Sequence, residues 1–330
     1  MAIFGNRCDK MRRKTAIMIL LILILVILVI ALFSSIVKET DQSEIIPRES
    51  KIPKDAIKAI PENDDHPPVL HLDEFEQPVP MASPINTAGA EDSPFVPADR
   101  NELYFFFTPD VDVPVEKQIL DGVTGMYISK YINGAWQDPE RVVLQKPGKL
   151  SLDGCQFVQG DKMWFCSARE GYTGVHWFTT EFKNGKWTNW KNADFEPDCE
   201  VGELHIYDDE LYYHSYREGG KGGLDIWMLT KVNDEWENPF NIEVVNSEED
   251  EGWPYITPDG NELWFNRRYM GTPAVFRSQK INGEWQEPEL IVSSFAGEPT
   301  LDNEGNLYFV HHFYRHGEMI EADIYIAYRK

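Results

Sequence analysis

Positive charge is scarce in this chain, and so is cysteine. Lys and Arg total 31 against 55 Asp and Glu, a formal net charge of −24 at pH 7 over 330 residues. The first fourteen residues run the other way. Arg7, Lys10, Arg12, Arg13 and Lys14 stand against Asp9 alone, a local +4 that leaves −28 for the other 316 residues. So acidic a surface excludes a nucleic-acid binder, because phosphate contact needs basic side chains. It argues equally against a domain that lies on anionic lipid. There are four cysteines and no Cys-x-x-Cys pair. Also missing are a Gly-x-Ser-x-Gly elbow, a His-Glu-x-x-His pair and a phosphate-cradling glycine loop. Gly219-Gly-Lys-Gly-Gly223 is glycine-rich, but it reads as a hairpin turn rather than a strand-to-helix loop. No amphipathic helical pattern follows residue 37, and no cofactor is expected. At 42% hydrophobic and 13% aromatic, the chain can nevertheless bury a sizeable core.

Long apolar runs are also rare, with one exception. From Ala16 to Phe33 no polar residue interrupts the chain, and with Ser34, Ser35, Ile36 and Val37 the segment reaches 22 residues. At ~1.5 Å per residue such a helix spans ~33 Å, enough for a bilayer core. A cleaved signal has a shorter core and a small-x-small exit, and Ala31-Leu-Phe33 is a poor one. The run therefore reads as a signal anchor at 16–37. Its basic tail (1–15) is expected in the cytoplasm and the acidic bulk outside, periplasmic or extracellular. Cys8, on the tail, is a juxtamembrane thiol of the kind that can be palmitoylated, although a lone one is usually unmodified. Residues 38–72 mix five prolines with charges and read as an extracytoplasmic tether.

From about residue 73 to the end the sequence repeats itself. An aromatic strand follows a polar turn at Glu102-Leu-Tyr-Phe-Phe, Lys162-Met-Trp-Phe-Cys, Glu210-Leu-Tyr-Tyr-His, Glu262-Leu-Trp-Phe-Asn and Asn306-Leu-Tyr-Phe-Val. A turn ending in tryptophan recurs at Asn133-Gly-Ala-Trp136, Asn184-Gly-Lys-Trp187, Asn233-Asp-Glu-Trp236 and Asn282-Gly-Glu-Trp285, spaced 51, 49 and 49 residues. Alternating aromatic and β-branched residues between Asn-Gly turns form hairpins, because those turns need positive φ. Each repeat supplies about four short strands, a to d, and four-stranded units repeated radially make a β-propeller. Five repeats are visible, and the last stops after its c strand. Asp73-Glu-Phe-Glu-Gln-Pro78 matches Asp234-Glu-Trp-Glu-Asn-Pro239, so 74–88 is expected to supply the missing outer strand and close an all-β, five-bladed ring.

The run Glu251-Gly-Trp-Pro-Tyr-Ile-Thr-Pro-Asp-Gly260-Asn-Glu-Leu-Trp-Phe resembles the WD-type, TolB-like propeller repeat, as does Ser215-Tyr-Arg-Glu-Gly continuing to Gly223-Leu-Asp-Ile-Trp227. The resemblance covers about 74–330. It implies the fold, while such repeats serve variously as binding platforms, adaptors and accessory domains of enzymes. Blade one departs from the pattern with a long b–c insertion, from Thr108 to Thr124.

In a propeller the d–a and b–c connections share one face, and strand a lines the channel. Near the start of each a strand stands an acid: Glu91, Asp153, Glu203, Glu251 and Glu298. Relative to the proline of Ser93-Pro-Phe, Trp253-Pro-Tyr and Glu298-Pro-Thr they lie one or three positions back, offsets that share a strand face, so all five are expected to point at the channel mouth. At the ends of the b strands, blades two to five place Arg169, Arg217, Arg267 and Arg315, with His214, His311 and His312 nearby. The arrangement suits a polar ligand, but repeated arginines also brace neighbouring blades through salt bridges. Five adjacent carboxylates would repel one another, which Ca²⁺ could relieve, yet no spaced calcium loop is present. A glycoside hydrolase needs two facing carboxylates, for which Asp153, Glu203 and Glu251 are the candidates. A recognition platform for a protein or cell-envelope polymer is the preferred function, with the hydrolase as the alternative. If Gly160-Asp161 is a two-residue turn, Cys155 and Cys166 fall opposite each other. A disulfide, free buried thiols (preferred, because cross-strand bridges are strained) and a bridge to Cys199 remain open.

Overall fold

The computed structural model describes residues 46–146, 148–195 and 202–330. The expected cytoplasmic tail and membrane anchor, and Cys199, lie outside the described residues. Among the described residues no helix is long and apolar enough to cross a membrane.

Local chemistry explains the hairpins. In blades one, two and four the c–d turn is an Asn-Gly pair with both residues at positive φ: 53° and 82° at Asn133-Gly134, 55° and 80° at Asn184-Gly185, 52° and 83° at Asn282-Gly283. Blade three substitutes Asn233-Asp234, at 51° and 68°. Paired positive φ matches the right-handed twist of the flanking strands.

The strands gather into five antiparallel sheets, each built from consecutive hairpins. Blade one runs Ala90–Phe95, Glu102–Thr108 and Gly125–Ile132, with an outer edge split into Ala135–Trp136 and Glu140–Arg141. Its b–c insertion carries a single turn of helix, Val115–Gln118. Blade two is Ser151–Gln159, Lys162–Arg169, Val175–Lys183 and Lys186–Asn192. Blade three is Leu204–Tyr207, Glu210–Ser215, Asp225–Val232 and Glu235–Asn241. Blade four is Glu251–Ile256, Glu262–Tyr269 and Thr272–Ile281, with a split edge of Glu284–Trp285 and Glu289–Ser293. Blade five is Ala296–Leu301, Leu307–Arg315 and Glu318–Ala327. Its outer edge is Val79–Pro80, pairing antiparallel with Ile326 and Tyr325, and Phe75 bridges Arg329.

The aromatic repeats fill the spaces between blades. Tyr104, Phe105, Phe165, Tyr212, Tyr213, Trp264, Phe265 and Phe309, all on b strands, are fully buried. The recurrent tryptophan reaches back to the preceding blade: Trp285 meets Tyr212 edge-on at 6.1 Å, and Trp187 carries the guanidinium of Arg100 at 5.8 Å. Burying rings of this size dominates the core's energetics.

Residues 47–72, expected as a tether, instead pack on the face made by the d–a and b–c connections. Arg48 inserts beside Glu91 of blade one. Lys58 bonds Glu321 and Asp323 of blade five. Asp64 reaches buried His311 at 2.8 Å. Val69–Leu70 then pairs with Ser293 and Val292, adding a strand to blade four. The composition reads as a linker, yet three of its charged side chains, Arg48, Lys58 and Asp64, find buried partners.

Candidate functional site at the channel mouth

The five inner-strand acids do not form one ring. Four of the five a strands bend at a residue with positive φ: Ser93 at 48°, Cys155 at 51°, Trp253 at 51° and Glu298 at 54°. At each of these positions the pairing register with strand b shifts. The extra residue is a β-bulge, which breaks the alternation of side chains. Acids one and three positions before the proline therefore take different directions, contrary to the expectation from a regular strand.

Glu91, Asp153 and Glu251 precede the bulge and turn into their blades. Asp153 accepts from Arg169 Nη2 and Ser167 Oγ, both at 2.6 Å. Glu251 accepts from Arg267 Nε at 2.7 Å and from the Ser247 N–H at 2.8 Å, while Arg267 Nη2 caps the Val245 carbonyl at 2.6 Å. Each guanidinium lies over aromatic rings: Arg169 over Phe178 at 4.4 Å and Trp190 at 4.3 Å, Arg267 over Phe276 at 4.8 Å. Desolvation outweighs the pull of these partners and raises the Glu251 carboxyl above its ordinary value.

Glu91 has the same surroundings with one substitution. Thr87 donates its N–H at 2.9 Å and its hydroxyl at 2.6 Å, as Ser247 does for Glu251. Opposite Glu91, however, the register places Phe107, where Glu251 faces Arg267. The missing cation comes from Arg48, whose Nη1 stands 3.2 Å from Glu91 and whose Nη2 donates to the Pro84 and Ile85 carbonyls. Its guanidinium lies over Phe105, Phe107 and Tyr127 at 5.2–5.9 Å. Both partners are buried, Arg48 with 4% and Glu91 with 0% of its surface exposed. Burial pushes the Glu91 carboxyl up to about 8, further than Arg48 and Thr87 draw it down.

The other two predicted arginines have different surroundings. Arg217 stacks on Trp227 at 5.6 Å. Arg315 pairs in register with Glu318 at the exposed tip of a hairpin, and Ala296 at the start of blade five's inner strand faces His311 instead. Arg169 and Arg267 thus brace acids within their own blades.

Glu203 and Glu298 face the axis, joined by Asp92, which the sequence reading missed. Their common neighbour is the Ser93 bulge. Its N–H donates to Glu298 Oε2 at 2.6 Å, and its hydroxyl lies 3.4 Å from Glu203. Two other bulge amides are served by the preceding blade: His214 Nδ1 accepts from Trp253 N–H at 2.8 Å, and Asn266 Oδ1 from Glu298 N–H at 2.6 Å. The corresponding residue of blade five is Val310, paired with Gly297 as Asn266 is with Gly252. Valine cannot accept, so Glu298 does. Glycine before the bulge admits this close approach; a Cβ at Gly297 would meet Asn266 Nδ2 at 2.7 Å. Burial and mutual repulsion hold Asp92 and Glu203 well above the ordinary carboxylate range.

Ser93, Gln156, Glu203, His205, Trp253 and Glu298 enclose a cavity of about 20 Å³ on the axis. That is room for about one water molecule. Below it His205 stacks among Phe95, Phe157 and Tyr255 at 4.6–5.2 Å and blocks the channel. Burial lowers that imidazole to about 3, so it is neutral. Towards the connection face, Trp253 and Glu298 also wall a larger pocket of about 340 Å³, shared with Asp250, Arg268, Pro273 and His312. Among the described residues no group of three or more His, Cys, Asp or Glu is arranged to hold a metal ion.

Cys155 and Cys166 form a disulfide with Cα atoms 5.4 Å apart. The turn at Gly160-Asp161 has two residues as expected, since Gln159 pairs with Lys162. Gly154, not Cys155, faces Cys166; Cys155 is the bulge residue, which lets its sulfur reach across.

No family model and no curated protein matches this sequence. Solved propellers resemble it in fold. The endo-arabinase of Bacteroides thetaiotaomicron aligns with a TM-score of 0.47 at 15% identity, over 72% of this chain and 93% of that one. The gluconolactonase XC5397 of Xanthomonas campestris gives 0.46 at 12% identity, over 83% and 98%. TolB of Acinetobacter baumannii gives 0.42 at 11% identity, over 74% of this chain and 55% of TolB. The likeness is one of propeller architecture alone.

Proposed function

We propose that this chain is a recognition platform: a five-bladed propeller, closed by residues 74–88, anchored in the membrane through 16–37 and held outside it. Its ligand is a protein or a cell-envelope polymer met at the channel mouth. The observation that carries this reading is the fate of the inner-strand acids. Three are engaged by arginines inside the structure, and the axial pair borders a cavity the size of one water. Hydrolysis of a glycosidic bond needs two carboxylates ~5–10 Å apart on either side of a sugar, and a cavity of this size seats no sugar ring. What the face offers a ligand is the pocket walled by Trp253, an aromatic shelf rimmed by Asp250, Arg268 and His312. The Cys155–Cys166 bridge favours an oxidising compartment and so supports the outside location.

The full chain on a glycan array and in a binding screen against envelope proteins should retain one ligand class, with affinity reduced at least tenfold in Trp253→Ala. Release of sugar from any array glycan would establish the hydrolase instead. Alkaline-phosphatase fusions after residue 45 should be active if the propeller is outside the membrane, and inactive if it is not.

A further inference from the structure

The half-buried axial acids differ from the buried acids described above. Glu91 has Arg48, Asp153 has Arg169, Glu251 has Arg267, and Glu321 with Asp323 share Lys58. Among the described residues, the hydrogen bonds to the carboxyl groups of Asp92, Glu203 and Glu298 come from the amide and hydroxyl of Ser93. A second, independent observation points the same way. Gln156, 5% exposed, donates Nε2 to the Ser93 carbonyl at 2.6 Å and leaves its Oε1 buried with no partner at the wall of the same cavity. An orphaned buried acceptor costs ~1–3 kcal/mol and calls for a donor. Gln156, Glu203 and Glu298 line this cavity together, and Gln156 Oε1 is the acceptor left open.

Building on the platform reading, we propose that the cavity receives the ammonium group of a lysine side chain from a protein partner. Three features select that ligand. The volume of about 20 Å³ fits a group the size of water, which an ammonium is and a planar guanidinium is not. An ammonium carries three donors and no acceptor, which suits the open Gln156 oxygen beside the carboxyl groups of Glu203 and Glu298. Trp253 and Glu298 wall both the cavity and the pocket outside it, so a four-carbon stem lies against the indole while its head meets the carboxylates. A bare metal ion suits the site less, because among the described residues the acids are not arranged as a ligand set. Of the cations at the outer pocket, Arg267 is engaged by Glu251.

The test titrates pentylammonium, pentylguanidinium, glucosamine and CaCl₂ separately into the full chain in detergent, following tryptophan fluorescence. Pentylammonium should saturate at millimolar concentration and bind at least tenfold more tightly than pentylguanidinium. The double variant Glu203→Gln, Glu298→Gln should lose that binding at least tenfold with its melting temperature kept or raised, and Gln156→Leu should lose about fivefold or more. If the double variant fails to fold, Gln156→Leu and a Trp253→Phe variant carry the test alone. No saturation by pentylammonium at 50 mM overturns the inference while leaving the platform reading to the screen above. Tighter binding of glucosamine would make the ligand an amino sugar, and competition by CaCl₂ at equal concentration would make the site a metal site; either outcome overturns the lysine assignment.

Discussion

Blade four and blade one solve the same problem with different parts of the chain. Both bury a glutamate at the start of the inner strand, hold it with a hydroxyl and an N–H four residues upstream, and set a guanidinium against it over aromatic rings. In blade four the guanidinium belongs to the repeat, as Arg267 on the facing strand. In blade one that position is Phe107, and Arg48 arrives from outside the repeat, 43 residues before its partner. A repeat can thus conserve an interaction while losing the residue that makes it. The difference is one of consequence: Arg267 holds a blade to itself, whereas Arg48 holds the N-terminal segment to a blade.

The largest effect expected from breaking this equivalence is the loss of either arginine. Removing one member of a buried pair costs about 3–5 kcal/mol, so Arg48→Ala and Arg267→Ala should each lower the denaturant midpoint substantially. Only Arg48→Ala should also open residues 47–57 to limited proteolysis; equal cleavage in both variants would deny Arg48 its docking role. Next in size is the coupling itself. Double-mutant cycles for Arg48/Glu91 and Arg267/Glu251 should agree within about 1 kcal/mol, each near 2, and a vanishing coupling at Arg48 would end the comparison.

Acidity separates the two sites further. The Glu91 carboxyl is raised from 4.5 to about 8 by burial, so folding takes up a proton between those values. Stability from this group is full below about pH 4.5 and is lost as pH rises through about 8. Asp323, raised by burial to about 7, acts with the same sign. Glu91→Gln should therefore flatten the decline of Tm between pH 5 and 8, an effect on the order of 1–2 kcal/mol, and Glu251→Gln should flatten it less. An unchanged slope in Glu91→Gln would show that the site is ionised throughout. Smallest are the hydroxyls: Thr87→Ala and Ser247→Ala should each cost about 1 kcal/mol, measurable by urea unfolding.

The blades were legible because their signals are local. Asn-Gly turns, aromatic alternation and the tryptophan spacing each act within one hairpin, and each appears in the structure at the expected turn or strand. The direction of the inner acids was not, because a single residue of bulge at Ser93, Cys155, Trp253 and Glu298 reverses the face of everything on one side of it. Periodicity alone cannot register such an insertion when the local proline seems to mark the frame. Arg48 escaped notice for a different reason: its partners come from residues 84–127, and nothing in a proline-rich stretch marks one arginine as buried. Asp92 was hidden by glycine, since blades two to five carry glycine at that place, Gly154, Gly202, Gly252 and Gly297, and only blade one shows a carboxylate.

The crossing of residues 47–72 over the connection face also decides how the molecule bears force. A pull on the chain from before residue 47 does not reach the edge strand Val79–Pro80 directly. It meets Arg48 at Glu91, then Lys58 at Glu321 and Asp323, then Asp64 at His311, and then the short ladder at Val69–Leu70. These fastenings are loaded one after another on blades one, five and four, so they can yield in series and dissipate work while the outer edge of blade five stays zipped. The segment behaves as strain relief on a cable, protecting the joint behind it.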